Sequence, residues 1–104
     1  PLRAGTLVLD PVRHSVELAG APLALTPKEF DLLQALMGAA GRVLSRETLL
    51  NRVWGYARAD EIESRTVDVH VRRLRAKLGG EGRRISTVKS VGYRFEDDRP
   101  ARPD

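Results

Sequence analysis

The stretch SRTVDVHVRRLRAKL, Ser64 to Leu78, admits two readings, and the choice between them decides the fold. Val67, Val69 and Val71 alternate with Asp68 and His70 as in a strand, whereas Leu74 to Leu78 is built from residues that favour helix. The alternation lasts five residues, and the whole span is too long for an ordinary strand, so it reads as one helix. Successive residues then turn by about 100°, which brings Val71, Leu74 and Leu78 within about 40° of Val67 as a single apolar stripe. Val69 falls on the opposite side, among Arg65, Arg72, Arg73, Thr66 and Ala76.

A lone surface valine usually carries no message. Here it sits where helix propensity gains nothing from it, among cations that repel one another, with Ala76 keeping the face low enough for close approach. A helix entering the major groove of duplex DNA needs this mixture. Arginine serves phosphates and the guanine edge, and a small apolar group meets a thymine methyl. His70, at about 300°, lies at the edge of the buried stripe, where packing competes with a DNA contact.

Charge supports that reading. Ser64 to Arg94 holds nine basic and two acidic side chains, +7, and the remainder of the 104 residues comes to −3. A basic face on a faintly acidic body is the footprint of a nucleic-acid binder. The alternative is an interaction module whose basic face meets an acidic protein. An enzyme is not expected: Asp31, Glu47 and Glu61 make no acid/base pair, and neither a phosphate-binding glycine loop nor a nucleophile elbow occurs. Without cysteine there is no disulfide or thiolate metal site, and His14 and His70 alone do not make a zinc site, so neither metal nor cofactor is expected. No apolar run is long enough to span a membrane, and a reducing cytoplasm is the expected location. Pro1 in place of Met suggests a piece of a longer polypeptide.

Upstream, Leu7/Leu9, Val16/Leu18 and Leu23/Leu25 are short alternating pairs broken at Asp10-Pro11 and Ala19-Gly20, as in small antiparallel strands. LTPKEFDLLQALMGAAG then opens a helix, with Thr26 as N-cap, Pro27 at its first position and Glu29 closing a capping box. Phe30, Leu33, Leu36 and Met37 form its core face. In GRVLSRETLLNRVWG, Ser45 caps a second helix that stops by Gly55, with Glu47 one place too early for a capping box. GYARADEIE reads as a long acidic loop. ISTVKSVGYRF reads as two strands, Ile85 to Val88 and Gly92 to Phe95, joined at Lys89-Ser90, with Tyr93 and Phe95 pinning the hairpin to the core. The short helix would steady the reading helix on the backbone, and the hairpin would reach an adjacent groove with Lys89 at its tip. Ser45, Arg46, Trp54 and Thr87 are candidate phosphate contacts, and Trp54 suits the core equally.

LTPKEFDLL, GRVLSRETLLNRVWG, SRTVDVHVRRLRAKL and ISTVKSVGYRF, in this order and spacing, resemble the C-terminal effector domain of OmpR/PhoB-type response regulators over about residues 5 to 96. The resemblance implies an α+β winged helix-turn-helix: a four-stranded antiparallel N-terminal sheet, three helices and a C-terminal hairpin wing, with residues 1–96 as the domain and 97–104 as a flexible tail. It implies a sequence-specific regulator of transcription that binds double-stranded DNA, as head-to-tail pairs on direct repeats. A phosphorylatable receiver domain would precede it, served by a sensor histidine kinase. Carried over by position, Val69 and Arg73 meet base edges, and Arg65, Thr66, Arg72, Arg75, Trp54, Thr87 and Tyr93 meet phosphates. The wing tip of such domains usually bears arginine; here it is Lys89, which lacks the planar fork suited to a narrow minor groove. The loop with Tyr56, Arg58, Asp60, Glu61 and Glu63 corresponds to the segment that meets RNA polymerase in related activators.

Overall fold

Thr26 starts the first long helix as its side chains dictate: its hydroxyl accepts the Glu29 N–H at 3.2 Å, and Glu29 Oε1 accepts the Thr26 N–H at 2.9 Å. The computed structural model describes residues 1–59 and 61–98. Helix α1 spans Pro27–Gly38, and α2, Arg46–Trp54, is capped by the Ser45 hydroxyl, which accepts the Thr48 N–H at 3.0 Å. Glu47 does not close a capping box there; Thr48 occupies that position and its hydroxyl bonds Ser45 instead. The acidic stretch beyond Gly55 is not all loop. A single helical turn, α3 (Tyr56–Ala59), precedes α4 (Arg65–Leu78), and a 3-10 segment, Gly79–Arg84, follows.

Four strands precede α1: β1 (Leu2–Ala4), β2 (Leu7–Asp10), β3 (Ser15–Leu18) and β4 (Ala21–Pro22), antiparallel in that order. Leu23 and Leu25, read as strand, lie beyond β4, whereas Leu2–Ala4 forms a strand that the alternating pairs did not announce. Leu9 pairs with Leu2 and Val16, so Leu7, Leu9 and Val16 share the face turned into the core. Strands β6 (Ile85–Val88) and β7 (Gly92–Phe95) form the expected hairpin, and β5 (Leu44–Ser45) adds a third strand on the far side of β7. Gly92 permits that addition: a Cβ there would strike the Leu44 carbonyl oxygen. The architecture is α+β, with three long helices between a four-stranded sheet and the wing.

One core joins these layers. It contains Leu7, Leu9, Phe30, Leu33, Leu36, Leu49, Val67, Val71, Leu74, Leu78, Ile85 and Phe95. Burying each leucine or valine contributes roughly 1.5–3 kcal/mol, and α4 alone supplies four such residues. The edges are closed by polar ties. Glu81 accepts the Thr6 N–H at 2.7 Å and pairs with Arg84, and Asp98 accepts the Gly5 N–H at 2.7 Å and binds Arg84 at 2.9 Å. The ordered chain therefore runs past the boundary expected at residue 96, because Asp98 is held to the β1–β2 turn; residues 99–104 of the expected tail lie outside the described residues. No described helix is long and apolar enough to cross a membrane.

Candidate nucleic-acid interface

The apolar stripe of α4 is complete: Val67, Val71, Leu74 and Leu78 are each 0% exposed. Rotation by about 100° per residue then turns Arg65, Arg72, Arg73 and Ala76 outward, and all four are exposed. Arg72 and Arg73 have no ion-pair partner among the described residues. Arg65 touches Glu63 at 2.7 Å, but with side chains 82% and 71% exposed this pair is weak and easily exchanged. Val69 is intermediate in exposure, less open than its helical angle implied yet outside the core. Thr66 is likewise half-buried.

Two residues expected at the DNA backbone are turned into the protein. Tyr93 is 4% exposed, and its hydroxyl donates a short hydrogen bond to Asp68 Oδ1. Burial, with the hydrogen bond to Asp68 and its charge, raises the phenol above its ordinary value, so it stays protonated and donates. Arg75 donates to the Ile85 carbonyl at 2.9 and 2.6 Å and to Thr87 Oγ1 at 2.8 Å. A phosphate would have to compete with these bonds. Sequence position gave the correct neighbourhood for both residues but could not show that the hairpin comes close enough to occupy them.

The residue the sequence did not single out is Asp68. Besides Tyr93, it accepts from Arg46 Nε at 2.8 Å, which draws Arg46 away from a free phosphate contact. The hydrogen bond with Asp68 raises the Arg46 pKa further. The guanidinium groups of Arg46 and Arg75 lie 5.3 and 5.6 Å from the Tyr93 ring centroid. A carboxylate amid arginines was the only signal, and its partners are 22 and 25 residues away in sequence.

Trp54 is packed against the core yet partly accessible at the end of α2. Its ring meets His70 edge-on at 4.9 Å, and Lys28, which donates to the Val53 carbonyl at 2.9 Å, lies 5.9 Å from its centroid. His70 Nδ1 is 2.8 Å from the Thr66 carbonyl oxygen, which can only accept, so the proton is on Nδ1 and the ring is packed. Thr87 and Lys89 are exposed on the hairpin; the turn closes through the Val91 N–H to the Val88 carbonyl at 2.9 Å, with Ser90 at φ 64°. Tyr56 is 80% exposed, Arg58 and Glu61 approach to 3.7 Å, and Asp60 lies outside the described residues. Among the described residues no cluster of His, Cys, Asp or Glu could hold a metal ion.

Comparison with known proteins gives this geometry its context. The family described as "Transcriptional regulatory protein, C terminal" matches residues 20–95. The chain is 50% identical over 91 residues to the phosphate regulon transcriptional regulatory protein PhoB of Escherichia coli, covering 86% of this chain and 39% of that protein. It is 44% identical over 99 residues to the sensory transduction protein RegX3 of Mycolicibacterium smegmatis, covering 91% and 42%. The chain thus spans about two-fifths of the length of these relatives. Among solved structures, it is similar to the Klebsiella pneumoniae RstA DNA-binding domain in complex with RstA box, with a TM-score of 0.76, 39% identity, and coverage of 90% of this chain and 94% of that one. With the family match running over residues 20–95 and half of 91 aligned residues identical to PhoB, this chain belongs to the family of transcriptional regulatory protein C-terminal domains, the effector domains of OmpR/PhoB-type response regulators.

Proposed function

We propose that the domain binds double-stranded DNA sequence-specifically as the output module of a two-component response regulator, with α4 in the major groove. Val69 and Arg73 then meet base edges, and Arg65, Thr66, Arg72, Trp54 and Thr87 face phosphates. Lys89 brings the wing to the adjacent backbone or minor groove. Arg75 and Tyr93 serve this site from within, since their polar atoms are already committed. The single observation that carries the proposal is the outer face of α4, where Arg72 and Arg73 stand exposed opposite a fully buried stripe. The related RstA domain, solved with RstA box, supports it.

The finer reading is that two copies bind head-to-tail on direct repeats in the cytoplasm. Phosphorylation of a receiver domain by a sensor histidine kinase would raise the local concentration of the second copy. The exposed segment with Tyr56, Arg58, Glu61 and Glu63 is the surface offered to RNA polymerase, and Asp60 belongs to it by sequence. The family match over residues 20–95 and the ties of Asp98 to Gly5 and Arg84 support a C-terminal limit of the domain close to residue 98, two residues beyond the 96 expected.

Titration of duplex DNA at several salt concentrations tests the core of this. Phosphate contacts by Arg65, Arg72 and Lys89 give a slope of log K against log salt of about −3, because each releases roughly 0.9 counterion. A flat slope, with tight binding to an acidic protein surface, would favour an interaction module instead. Selection from a random duplex pool then reports whether half-sites repeat directly.

A further inference from the structure

Asp68 and Arg75 are seven residues apart on α4, so they lie within about 20° of one another on the helix and about 10.5 Å apart along it. Both hold the hairpin. Asp68 takes the Tyr93 hydroxyl of β7, and Arg75 takes the Ile85 carbonyl and the Thr87 hydroxyl of β6. Thr87 and Tyr93 are cross-strand partners, so the two attachments converge on one rung of the hairpin. The Tyr93 ring bridges the levels, with the Arg75 guanidinium 5.6 Å from its centroid and its hydroxyl on Asp68. A single attachment is a pivot; two separated along a helix fix an angle. Arg46 adds a third strut from α2 through the same carboxylate oxygen.

We propose that Asp68 is a positioning residue that locks α4 and the β6–β7 wing into one rigid reading unit, so that groove and wing contacts are made together. This rests on the DNA-binding reading above. Its consequence is energetic coupling between groups that never touch, since a preorganised pair of contacts avoids the ordering cost that two independent ones incur. Asp68 faces the protein rather than a base, because its Oδ1 is shared between Tyr93 and Arg46, and it carries a carboxylate that would otherwise repel phosphates.

The test is a double-mutant cycle between Asp68→Ala and Lys89→Ala, measured on a selected duplex and on random duplex. Asp68→Ala should weaken the selected site on the order of tenfold, the usual worth of one charge-assisted hydrogen bond, and leave base preference unchanged. Lys89→Ala should cost clearly less in the Asp68→Ala background than in the parent protein. Tyr93→Phe, which deletes one oxygen and keeps the ring, should reproduce the loss of coupling, and Asp68→Asn, which still accepts, should restore part of it. Additive effects in the cycle would overturn the proposal, as would a changed base preference on losing Asp68, which would make it a base reader. Amide exchange over residues 85–95 separates this from failure of the DNA reading. In Tyr93→Phe without DNA those amides should exchange faster while α1 does not change; unchanged exchange sinks the lock even in a protein that binds no DNA.

Discussion

Lys77 Nζ lies 2.6 Å from Glu29 Oε1, so the last turn of α4 is bonded to the first turn of α1 through a carboxylate only 2% exposed. The same oxygen closes the Thr26 capping box. Burial alone would raise the Glu29 pKa, but the Lys77 hydrogen bond, the Thr26 N–H, the Lys77 charge and the Thr26 hydroxyl together hold it below the ordinary 4.5. A group depressed in the folded state contributes stability above its unfolded value and loses it as the pH falls through the folded value. Thermal unfolding should therefore show stability falling below about pH 4.5, and Glu29→Gln should flatten that fall. It should not abolish it, because the Thr6 N–H lowers Glu81 and the Gly5 N–H lowers Asp98 in the same direction. An unchanged pH profile in Glu29→Gln would remove this pair from the account.

Lys77→Met leaves the buried Glu29 carboxylate with its cap but without its counter-charge. The cost expected at neutral pH is about 2 kcal/mol by denaturant unfolding, set by the loss of one charge-assisted hydrogen bond. The methionine stem keeps the aliphatic packing, so a much smaller value would mean that the lysine head contributes little.

The Glu63–Arg65 pair gives a prediction of opposite sign. A side chain that must leave a carboxylate to reach a phosphate binds DNA less well than one already free. Glu63→Gln should thus tighten binding to all duplexes by a factor of about 2, the scale of an exposed ion pair, with sequence preference unaltered. Arg65→Ala and Arg72→Ala should weaken specific and random DNA alike and reduce the salt slope by about one unit each. Arg73→Ala should instead narrow the gap between specific and random sites. Equal losses on both would count against base reading by Arg73.

Much of this site was legible because its signals are local. The period of Val67, Val71, Leu74 and Leu78, the Thr26–Glu29 box and the Lys89-Ser90 turn each lie within a few residues, and each element appears where the sequence placed it. What escaped is non-local or too short to have a period. Strand β5 is two residues, Leu44 and Ser45, that become a strand only because Gly92 lets β7 approach. Strand β1 is three residues, and α3 is one turn. Arg75 and Tyr93 were assigned by residue type and position and Asp68 was passed over, and only their closeness in space shows that an arginine and a phenol in a basic region can bind one another's elements rather than DNA.

Gly92 can be tested directly. An added methyl would collide with backbone, the Leu44 carbonyl oxygen and the Ser45 Cα at 2.8 Å, and backbone cannot swing aside as a side chain does. Gly92→Ala should cost about 3 kcal/mol, at the upper end of overpacking penalties, and should loosen β5 from the wing. Gly5→Ala meets the side-chain ends of Glu81 and Arg84 first, which can shift at the expense of their mutual ion pair, although its φ of 57° adds strain, so it should cost less. Melting temperatures of the two variants order them, and the reverse order would show that the turn, not the strand approach, is the tighter constraint.

Val69 makes the sharpest claim about what α4 reads. If its methyl groups pack on a thymine methyl, removing either side of the contact should cost the same, and removing both should cost no more than one. A buried methylene-sized contact is worth roughly 0.8 kcal/mol, so Val69→Ala should weaken the selected site about fourfold. Replacing the contacted thymine by deoxyuridine, which deletes only the C5 methyl, should weaken the parent protein by a similar factor and leave the Val69→Ala protein almost unaffected. Scanning deoxyuridine through the site also locates the base. If no position shows this non-additivity, Val69 contributes to α4 only as a half-buried packing residue and base reading falls to Arg73 alone.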